Sequence, residues 1–165
     1  MTDSNLNIEE IESLINTDTT EASKHIYNGL KCFARIAPKK GYIDGDTIRV
    51  IFHFYGHLVK NKIRLLGINA PESRTTDLEE KALGMKAKKY FEDLCKTNRY
   101  DIVYLECGKL DDFGRILAEV YQVYFGESNP QEGTERVGTS HFIHKSKKSL
   151  NQQMLEAGHA KTFMA

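Results

Sequence analysis

Three short clusters of this 165-residue sequence place charged side chains beside turn-forming residues. They occupy residues 44–47 (DGDT), 64–72 (RLLGINAPE) and 111–115 (DDFGR). Together they supply carboxylate oxygens, which are ligands of hard cations, two guanidinium groups that can bind phosphate, and a further glutamate. A cation and guanidinium groups stabilise the charge that develops on phosphate during hydrolysis, and a carboxylate can orient or deprotonate water. The combination predicts hydrolysis of a phosphodiester bond.

Each cluster taken alone also has a purely structural explanation. Asp-Gly is common in tight turns, so residues 44–47 could simply join two strands. Arg64 lies in an apolar run and needs an anionic partner if it is buried, which could be a structural carboxylate or a phosphate. Pro71 ends that run, so that Glu72 projects from the strand end. Only the three clusters together therefore indicate a catalytic site.

The elements that must position these clusters are strands followed by helices. Residues 47–55 alternate between two faces, and Gly56 separates them from a second run over 58–68, which predicts a hairpin. Residues 78–97 have helical spacing, with Leu83, Ala87, Tyr90, Phe91 and Leu94 on one face. The remaining elements are strands over 101–107 and 115–124 and a helix from a capping box at Ser149 to Gly158. These lengths predict an α+β fold built on a closed or nearly closed barrel.

Two segments lie outside this pattern. Residues 7–17 predict a short acidic amphipathic helix, with Asp3 or Ser4 nearby as its cap, followed by a polar linker over 17–23. Residues 125–148 are rich in glycine and polar residues and predict a long loop.

The charge balance is neutral overall but uneven along the chain. The 23 basic and 23 acidic residues exclude a globally basic coat protein for nucleic acid. Residues 35–74, however, contain eight basic and three acidic residues. That segment could attract a polyanion, although a solvated lysine-rich hairpin edge gives the same count. No stretch approaches the roughly 18–20 apolar residues of a membrane span, so we expect no membrane partner.

The cysteines and the first residues indicate a reducing compartment. Cys32, Cys95 and Cys107 are odd in number and have no metal-ligand spacing, so we expect no disulfide framework and three small buried hydrophobic residues. The N-terminus has neither the basic start nor the apolar region of a secretory signal, which favours an intracellular protein. A mature fragment whose signal has been removed is the alternative.

Four motifs, in order and spacing, resemble the staphylococcal nuclease (thermonuclease) family. They are DGDT at 44–47, RLLGINAPE at 64–72, DDFGRILA at 111–118 and NQQMLEAGHAK at 151–161, and the likeness covers about residues 30–163. The resemblance implies a five-stranded OB-fold β-barrel with packed helices, here with an extra N-terminal helix. It also implies a calcium (Ca²⁺)-dependent, low-specificity endo- or exonuclease of DNA, RNA or both, whose products carry 3′-phosphates.

The resemblance also implies roles for individual residues. Arg64 and Arg115 match the phosphate-clamping arginines, and Glu72 matches the glutamate near the attacking water, as general base or water-orienting group. The implied metal ligands are Asp46, Asn69 and the backbone carbonyl of Ala70, with Asp44 and Thr47 flanking that site. Possible substrate contacts are Phe113, at a position that contacts substrate in the family, and Lys145, Lys147 and Lys148, unless residues 125–148 form a solvated variable loop.

Two departures from the family pattern bear on activity. Asn69 stands where the family has a second metal-binding aspartate, so we expect calcium affinity to be weaker by about tenfold or more. Asp112 and Phe113 replace a lysine-tyrosine pair that contacts substrate in the family, which changes a cation to an anion and removes a hydroxyl.

The sequence thus predicts an acidic helical extension over residues 1–29 and a nuclease domain over 30–165, with an inserted loop at 125–148. We expect a monomer. Two other functions stay open. One is a catalytically weak or inactive OB-fold module that binds nucleic acid or protein, and the other is a domain that docks a partner through the acidic N-terminal helix.

Overall fold

The structure is a computed structural model that describes residues 7–126 and 131–164. The strands, in chain order, are β1 (Lys31–Ile36), β2 (Tyr42–Asp44), β3 (Thr47–Phe54), β4 (His57–Leu65), β5 (Ile68–Asn69), β6 (Ile102–Leu110), β7 (Ile116–Phe125), β8 (Thr134–Arg136), β9 (Ile143–Ser146) and β10 (Lys161–Thr162). The helices are α1 (Ile8–Asn16), α2 (Thr19–Ala22), α3 (Leu78–Cys95) and α4 (Leu150–Glu156), with a 3-10 turn at Ser23–His25.

Five of the strands pair into a closed ring. Strand β3 pairs antiparallel with β1 and β4, β1 pairs with β6, and β6 pairs with β7. Strand β7 then returns to β4 in a parallel pairing that closes the ring. Closure satisfies the backbone hydrogen bonds that an open sheet would leave at its edges. The predicted α+β fold is confirmed.

The core fills the inside of this ring and the space under two helices. The predicted alternation in β3 is confirmed, because Ile48, Val50 and Phe52 are buried. Helix α3 covers the core with a face that includes Ala87 and Phe91, and α4 contributes its own apolar residues, Leu150 and Met154. The prediction that Leu83 lies on the buried face of α3 is wrong, since it is 56% exposed. Its neighbour Gly84 is buried instead.

The N-terminal segment is more helical than the sequence predicted. Helix α1 is present, and its cap is Asn7, whose side chain accepts from the backbone N–H of Glu10. The predicted caps Asp3 and Ser4 lie outside the described residues. The apolar stripe of α1 contacts no core, because none of its residues is buried. The prediction of a polar linker over 17–23 is wrong, since α2 and the start of the 3-10 turn occupy it. The boundary at residue 29 stays a prediction.

The prediction of a loop over 125–148 is wrong in part. Strand β9 pairs with β7, with Lys145 opposite Val123, and β8 pairs with β9 in turn. The inward-facing residues of β9 are polar, since His144 and Ser146 are buried and the Ser146 hydroxyl accepts from the backbone N–H of Gln122. A four-residue strand with polar buried residues leaves no apolar alternation in the sequence.

The prediction that the cysteines are buried is confirmed for two of the three. Cys95 and Cys107 are buried and Cys32 is half-buried, all three as free thiols. Within residues 7–126 and 131–164, no helix combines the length and apolar character needed to cross a bilayer.

Candidate active site

The turn between β2 and β3 is shaped by close packing against α3. A Cβ atom on Gly45 would lie 2.9 Å from the Cβ of Ala87 and 3.2 Å from the Cβ of Ala70. The backbone of Gly45 is not in the left-handed region, so glycine is needed here for space rather than for a hairpin conformation. The turn therefore brings Asp44 and Asp46 against the segment that follows β5.

Asp46 fixes that segment through both of its carboxylate oxygens. Its Oδ1 accepts from the Thr47 hydroxyl at 2.8 Å, and its Oδ2 accepts from the backbone N–H of Ala70 at 2.7 Å. Both Asp46 and Thr47 are buried. A buried carboxylate with these partners holds residues 69 and 70 beside the start of β3.

Arg64, near the end of β4, is enclosed by acceptors. Its Nη1 donates to the carbonyls of Ile68 at 2.7 Å and Leu65 at 3.1 Å, and its Nη2 donates to Oδ1 of Asn69 at 3.1 Å. Nη1 also lies 3.4 Å from Oδ2 of Asp46. Burial lowers the pKa of the Arg64 guanidinium from its ordinary value, while the negative charge of Asp46 acts in the opposite direction. The guanidinium is held as a fixed fork.

Arg115 is positioned by the turn that precedes β7. Its Nε donates to Oδ2 of Asp111 at 2.7 Å, while Oδ1 of Asp111 accepts the backbone N–H groups of Phe113 and Arg115. The guanidinium carbon lies 5.3 Å from the centre of the Phe113 ring. No hydrogen bond in the described part of the chain uses either Nη group of Arg115, so those donors are available to a ligand.

The parallel pairing of β4 with β7 brings the two arginines into one region. Arg64 is in register with Leu117, two residues beyond Arg115, so the arginines are diagonal neighbours on one face. The positive charge of Arg115 accordingly lowers the pKa of Arg64. The two side chains are thus near enough for their like charges to interact.

Glu72 lies at the end of a segment whose backbone is tightly held. Asp44 Oδ1 accepts from the backbone N–H of Ser73 at 3.0 Å and from its hydroxyl at 2.6 Å. A Cβ atom on Gly84 of α3 would collide with the backbone carbonyl of Glu72. The Glu72 side chain is exposed, and its carboxylate has no hydrogen bond or ion pair with any described residue. The carboxylate is therefore free to contact water or a ligand.

The roles of Ser73 and Gly84 in holding the Glu72 backbone were not predicted from the sequence. For Ser73, the only sequence feature that points to this role is its place next to Glu72. Gly84 does have one, because a glycine inside a helix costs about 1 kcal/mol relative to alanine and so indicates a close approach of another backbone.

The predicted substrate contacts fall into two groups. Phe113 is 83% exposed and lies beside Arg115. Lys145 is instead paired with Glu135 at 2.8 Å, and Lys148 is paired with Glu156 at 3.1 Å. Lys145 is in register with Val123, eight residues along β7 from Arg115, which is about 26 Å in an extended strand. Lys145 therefore lies away from Arg115, whereas a substrate contact by Lys147 or Lys148 stays a prediction.

The oxygen atoms near Arg64 form a sparse set of possible cation ligands. No group of three or more His, Cys, Asp or Glu side chains suited to a metal occurs in the described ranges 7–126 and 131–164. Among the residues that the structure describes, Asp46 is the one carboxylate that contacts both Arg64 and Ala70, and Asn69 adds a neutral oxygen. One carboxylate with neutral oxygens fits a hard cation that takes its other ligands from water and a substrate phosphate.

A cavity of about 580 Å³ lies beside the turn that holds Arg115 and is lined by neither arginine. Its apolar lining includes Leu66, Leu117 and Phe163, and Asp111, the partner of Arg115, lies at its edge. The Phe163 ring centre is 5.7 Å from the guanidinium carbon of Arg64. At the rim, Lys24 of the 3-10 turn pairs with Asp112 at 2.7 Å, so a cation of the N-terminal segment compensates the acidic residue of this turn.

The closed strand ring and the helices packed on it define an α+β domain. The sequence model of the family described as staphylococcal nuclease homologue matches residues 62–165. The chain therefore belongs to the staphylococcal nuclease family. Nuclease activity is a property of this family. A search of curated proteins gave no match.

Proposed function

We propose that this protein is a calcium-dependent nuclease that hydrolyses phosphodiester bonds of DNA, RNA or both with low sequence specificity. The observation that carries the proposal is the placement of Arg64, near the end of β4, beside Arg115, which directly precedes the parallel strand β7. Two cations held together in a partly buried site are stabilised by a bound anion. Phosphate contacts carry no base information, which is consistent with low specificity.

The two arginines bind the non-bridging oxygens of the scissile phosphate. Arg64 presents a guanidinium that is already fixed by the carbonyls of Ile68 and Leu65, so little freedom is lost on binding. Arg115 offers the Nη donors that Asp111 leaves unused. Because negative charge on these oxygens grows in the transition state, both contacts strengthen as the reaction proceeds.

Glu72 acts on the attacking water. Its exposed carboxylate has no partner among the described residues, while the Asp44–Ser73 contact and the close approach of Gly84 hold its backbone in place. Such a carboxylate either orients the water or accepts its proton. The phosphorus–oxygen bond that breaks is the one to the 5′ oxygen, so that the products carry 3′-phosphates and 5′-hydroxyls.

Asp46, the Asn69 side chain and the Ala70 carbonyl are the residues that would hold the calcium ion. The ion supplies charge neutralisation for the phosphate when it is bound. Thr47 orients the Asp46 carboxylate through its hydroxyl. The neutral Asn69 lowers the charge of this ligand set, so the substrate phosphate is needed to complete it.

The 580 Å³ cavity next to Arg115 is the proposed place for the nucleoside beside the scissile phosphate. Leu66 and Leu117 offer apolar surface to a base, and Phe163 offers an aromatic face. Stacking on an aromatic side chain contributes about 1–3 kcal/mol per base without selecting a sequence. Phe113, exposed beside Arg115, is a further candidate contact.

A second candidate function is a binding module without catalysis. It is favoured by the state of the candidate metal ligands, since both oxygens of Asp46 and the oxygen of Asn69 already accept hydrogen bonds from protein donors. In that case the arginine pair would bind a nucleic-acid phosphate and leave it intact.

Cleavage of single-stranded DNA and RNA, with millimolar calcium or with chelator, distinguishes the two functions. We expect the wild type to cleave with calcium only, and Arg115→Ala to reduce the rate by about 100-fold or more. Lys145→Ala, outside the proposed site, is the matched control and should cleave at the wild-type rate. Oligonucleotide binding with no cleavage up to millimolar calcium would instead favour the binding module.

A further inference from the structure

A cleft of about 440 Å³ lies where β2, β3 and β4 meet α3, apart from the 580 Å³ cavity. It is lined by two residues of β2, Tyr42 and Ile43, together with charged residues that are all cations. These cations, which we call the basic cleft residues, are Lys40, Arg49, Lys62, Arg74 and Lys88. Four of the five belong to the basic segment 35–74 that the sequence analysis singled out.

The protein itself does not neutralise this charge. None of the ion pairs formed within residues 7–126 and 131–164 includes a basic cleft residue. Arg49 and Lys62 are direct partners across β3 and β4, with Cβ atoms about 5 Å apart. Like charges placed directly opposite each other destabilise a sheet. A bound anion would remove that repulsion.

One of the basic side chains is also fixed in position. The Arg49 Nη1 donates to the backbone carbonyl of Lys40 at 2.9 Å, which holds the guanidinium at the cleft while leaving its other donors available. Fixing a guanidinium in advance reduces the entropy lost when it binds an anion.

The cleft adjoins the segment that carries Glu72. Its lining residues Ile43 and Arg74 are the chain neighbours of Asp44 and Ser73, and the Ser73 hydroxyl also donates to the Ile43 carbonyl. The cleft therefore begins two residues beyond Glu72. A polymer bound at the arginine pair and passing Glu72 would reach the cleft next.

We infer that the basic cleft binds the phosphate backbone of a single-stranded nucleic acid and extends the substrate path beyond the scissile bond. This inference rests on the proposed nuclease function, because that function places a phosphodiester chain beside Glu72. Arginine forks and lysine point charges are the usual phosphate ligands, and a positively charged groove that follows one strand is how proteins bind single strands without sequence preference.

The test is binding of a labelled single-stranded oligonucleotide of about 20 nucleotides, longer than one such site, by fluorescence anisotropy with chelator present. The double variant Lys62→Gln/Lys88→Gln removes two cleft charges. We expect affinity to fall by about tenfold and the slope of log K against log salt to flatten by about 1.4, since each single-strand phosphate contact contributes about 0.7. The preference for the long oligonucleotide over a dinucleotide should shrink as well.

Lys86→Gln is the matched control. Lys86 is exposed on α3, two residues before Lys88 and therefore on a different face, and it does not line the cleft. It should bind as the wild type does, and thermal melting of both variants checks that they are folded. Equal affinity of the double variant and Lys86→Gln would overturn the inference. So would equal competition by polyglutamate of matched charge, which would show that the cleft accepts any polyanion.

The binding assay does not depend on catalysis, because it contains chelator, and cleavage with calcium is measured separately. A wild type that cleaves nothing but loses binding in the double variant would contradict the nuclease and support the cleft. If the wild type cleaves with calcium and the double variant binds the oligonucleotide as tightly as the wild type does, the nuclease is supported and the cleft is contradicted.

Discussion

Arg64 and Arg115, the two arginines of the proposed site, are held in different ways. Arg64 is 8% exposed and is enclosed by two backbone carbonyls, Asn69 and Asp46. The Arg115 side chain is 29% exposed and has one carboxylate partner, in its own turn. The difference indicates that Arg64 serves the fold as well as the site, whereas Arg115 serves mainly the site.

The largest expected effect follows from that difference. Arg64→Ala leaves the buried Asp46 without its cation and leaves the carbonyls of Leu65 and Ile68 without this donor. Breaking a buried ion pair from one side costs about 3–5 kcal/mol. We therefore expect the free energy of unfolding to fall by about 3 kcal/mol, measured by urea denaturation, together with loss of cleavage.

Two variants make the comparison stricter. Arg64→Lys keeps the charge but not the planar fork, so it should recover part of the stability and little of the activity. Arg115→Ala, the matched change at the other arginine, should lower the unfolding free energy by less than about 1 kcal/mol. If the two alanine variants were equally stable, the distinction between the arginines would be wrong.

A smaller effect is expected at Gly84, which supports Glu72 from α3. In Gly84→Ala the new Cβ would meet the Glu72 carbonyl, so the backbone that carries the carboxylate must shift. A misplacement of about 1 Å in a catalytic group costs about 100-fold in rate. We expect a loss in kcat of that order, measured on a DNA oligonucleotide under saturating calcium.

Ala82→Gly is the control for this change, because it weakens α3 at an exposed position without approaching Glu72. It should cost about 1 kcal/mol of stability and leave kcat at the wild-type value. Wild-type kcat in Gly84→Ala would mean that the position of Glu72 is irrelevant to catalysis.

The smallest change concerns the charge of the proposed calcium ligands. Asn69→Asp adds a carboxylate next to Asp46 and Ala70, and calcium affinity rises with the ligand charge. We expect the dissociation constant to fall by about tenfold, measured by calorimetric titration. Asn61→Asp, in the middle of the β3–β4 hairpin opposite Val50, is the control and should leave calcium affinity unchanged. If Asn69→Asp bound calcium no more tightly than this control does, Asn69 would not be a calcium ligand.

Much of the fold was predictable because its signals are local and periodic. The alternation of Ile48, Val50 and Phe52 predicted β3 correctly, and the spacing over α3 predicted that helix to within two residues. The segment 125–148 could not be predicted in this way. Strand β9 buries His144 and Ser146 against β7, so its place depends on polar contacts with residues distant in the chain.

The site was predictable in its residue types more than in its geometry. The sequence indicates that Arg64 needs an anionic partner, and three of its four acceptors lie within the next five residues. The one anionic acceptor, Asp46, comes from a separate turn that only the fold brings to Arg64. Likewise, the pairing of Lys24 with Asp112 joins residues 88 positions apart. No local pattern predicts that a residue of the N-terminal segment compensates this departure from the family.

In the proposed site, Arg64, Arg115 and the oxygens of Asp46, Asn69 and Ala70 bind a cation and a phosphate together. The decisive experiment is calorimetric titration of the wild type with calcium, with and without a nucleoside 3′,5′-bisphosphate. We expect weak calcium binding alone and binding tighter by about tenfold or more with the bisphosphate, since coupling free energies of about 1–3 kcal/mol are typical of sites that cooperate. Calcium binding that is equally weak with and without the bisphosphate would contradict the proposed site.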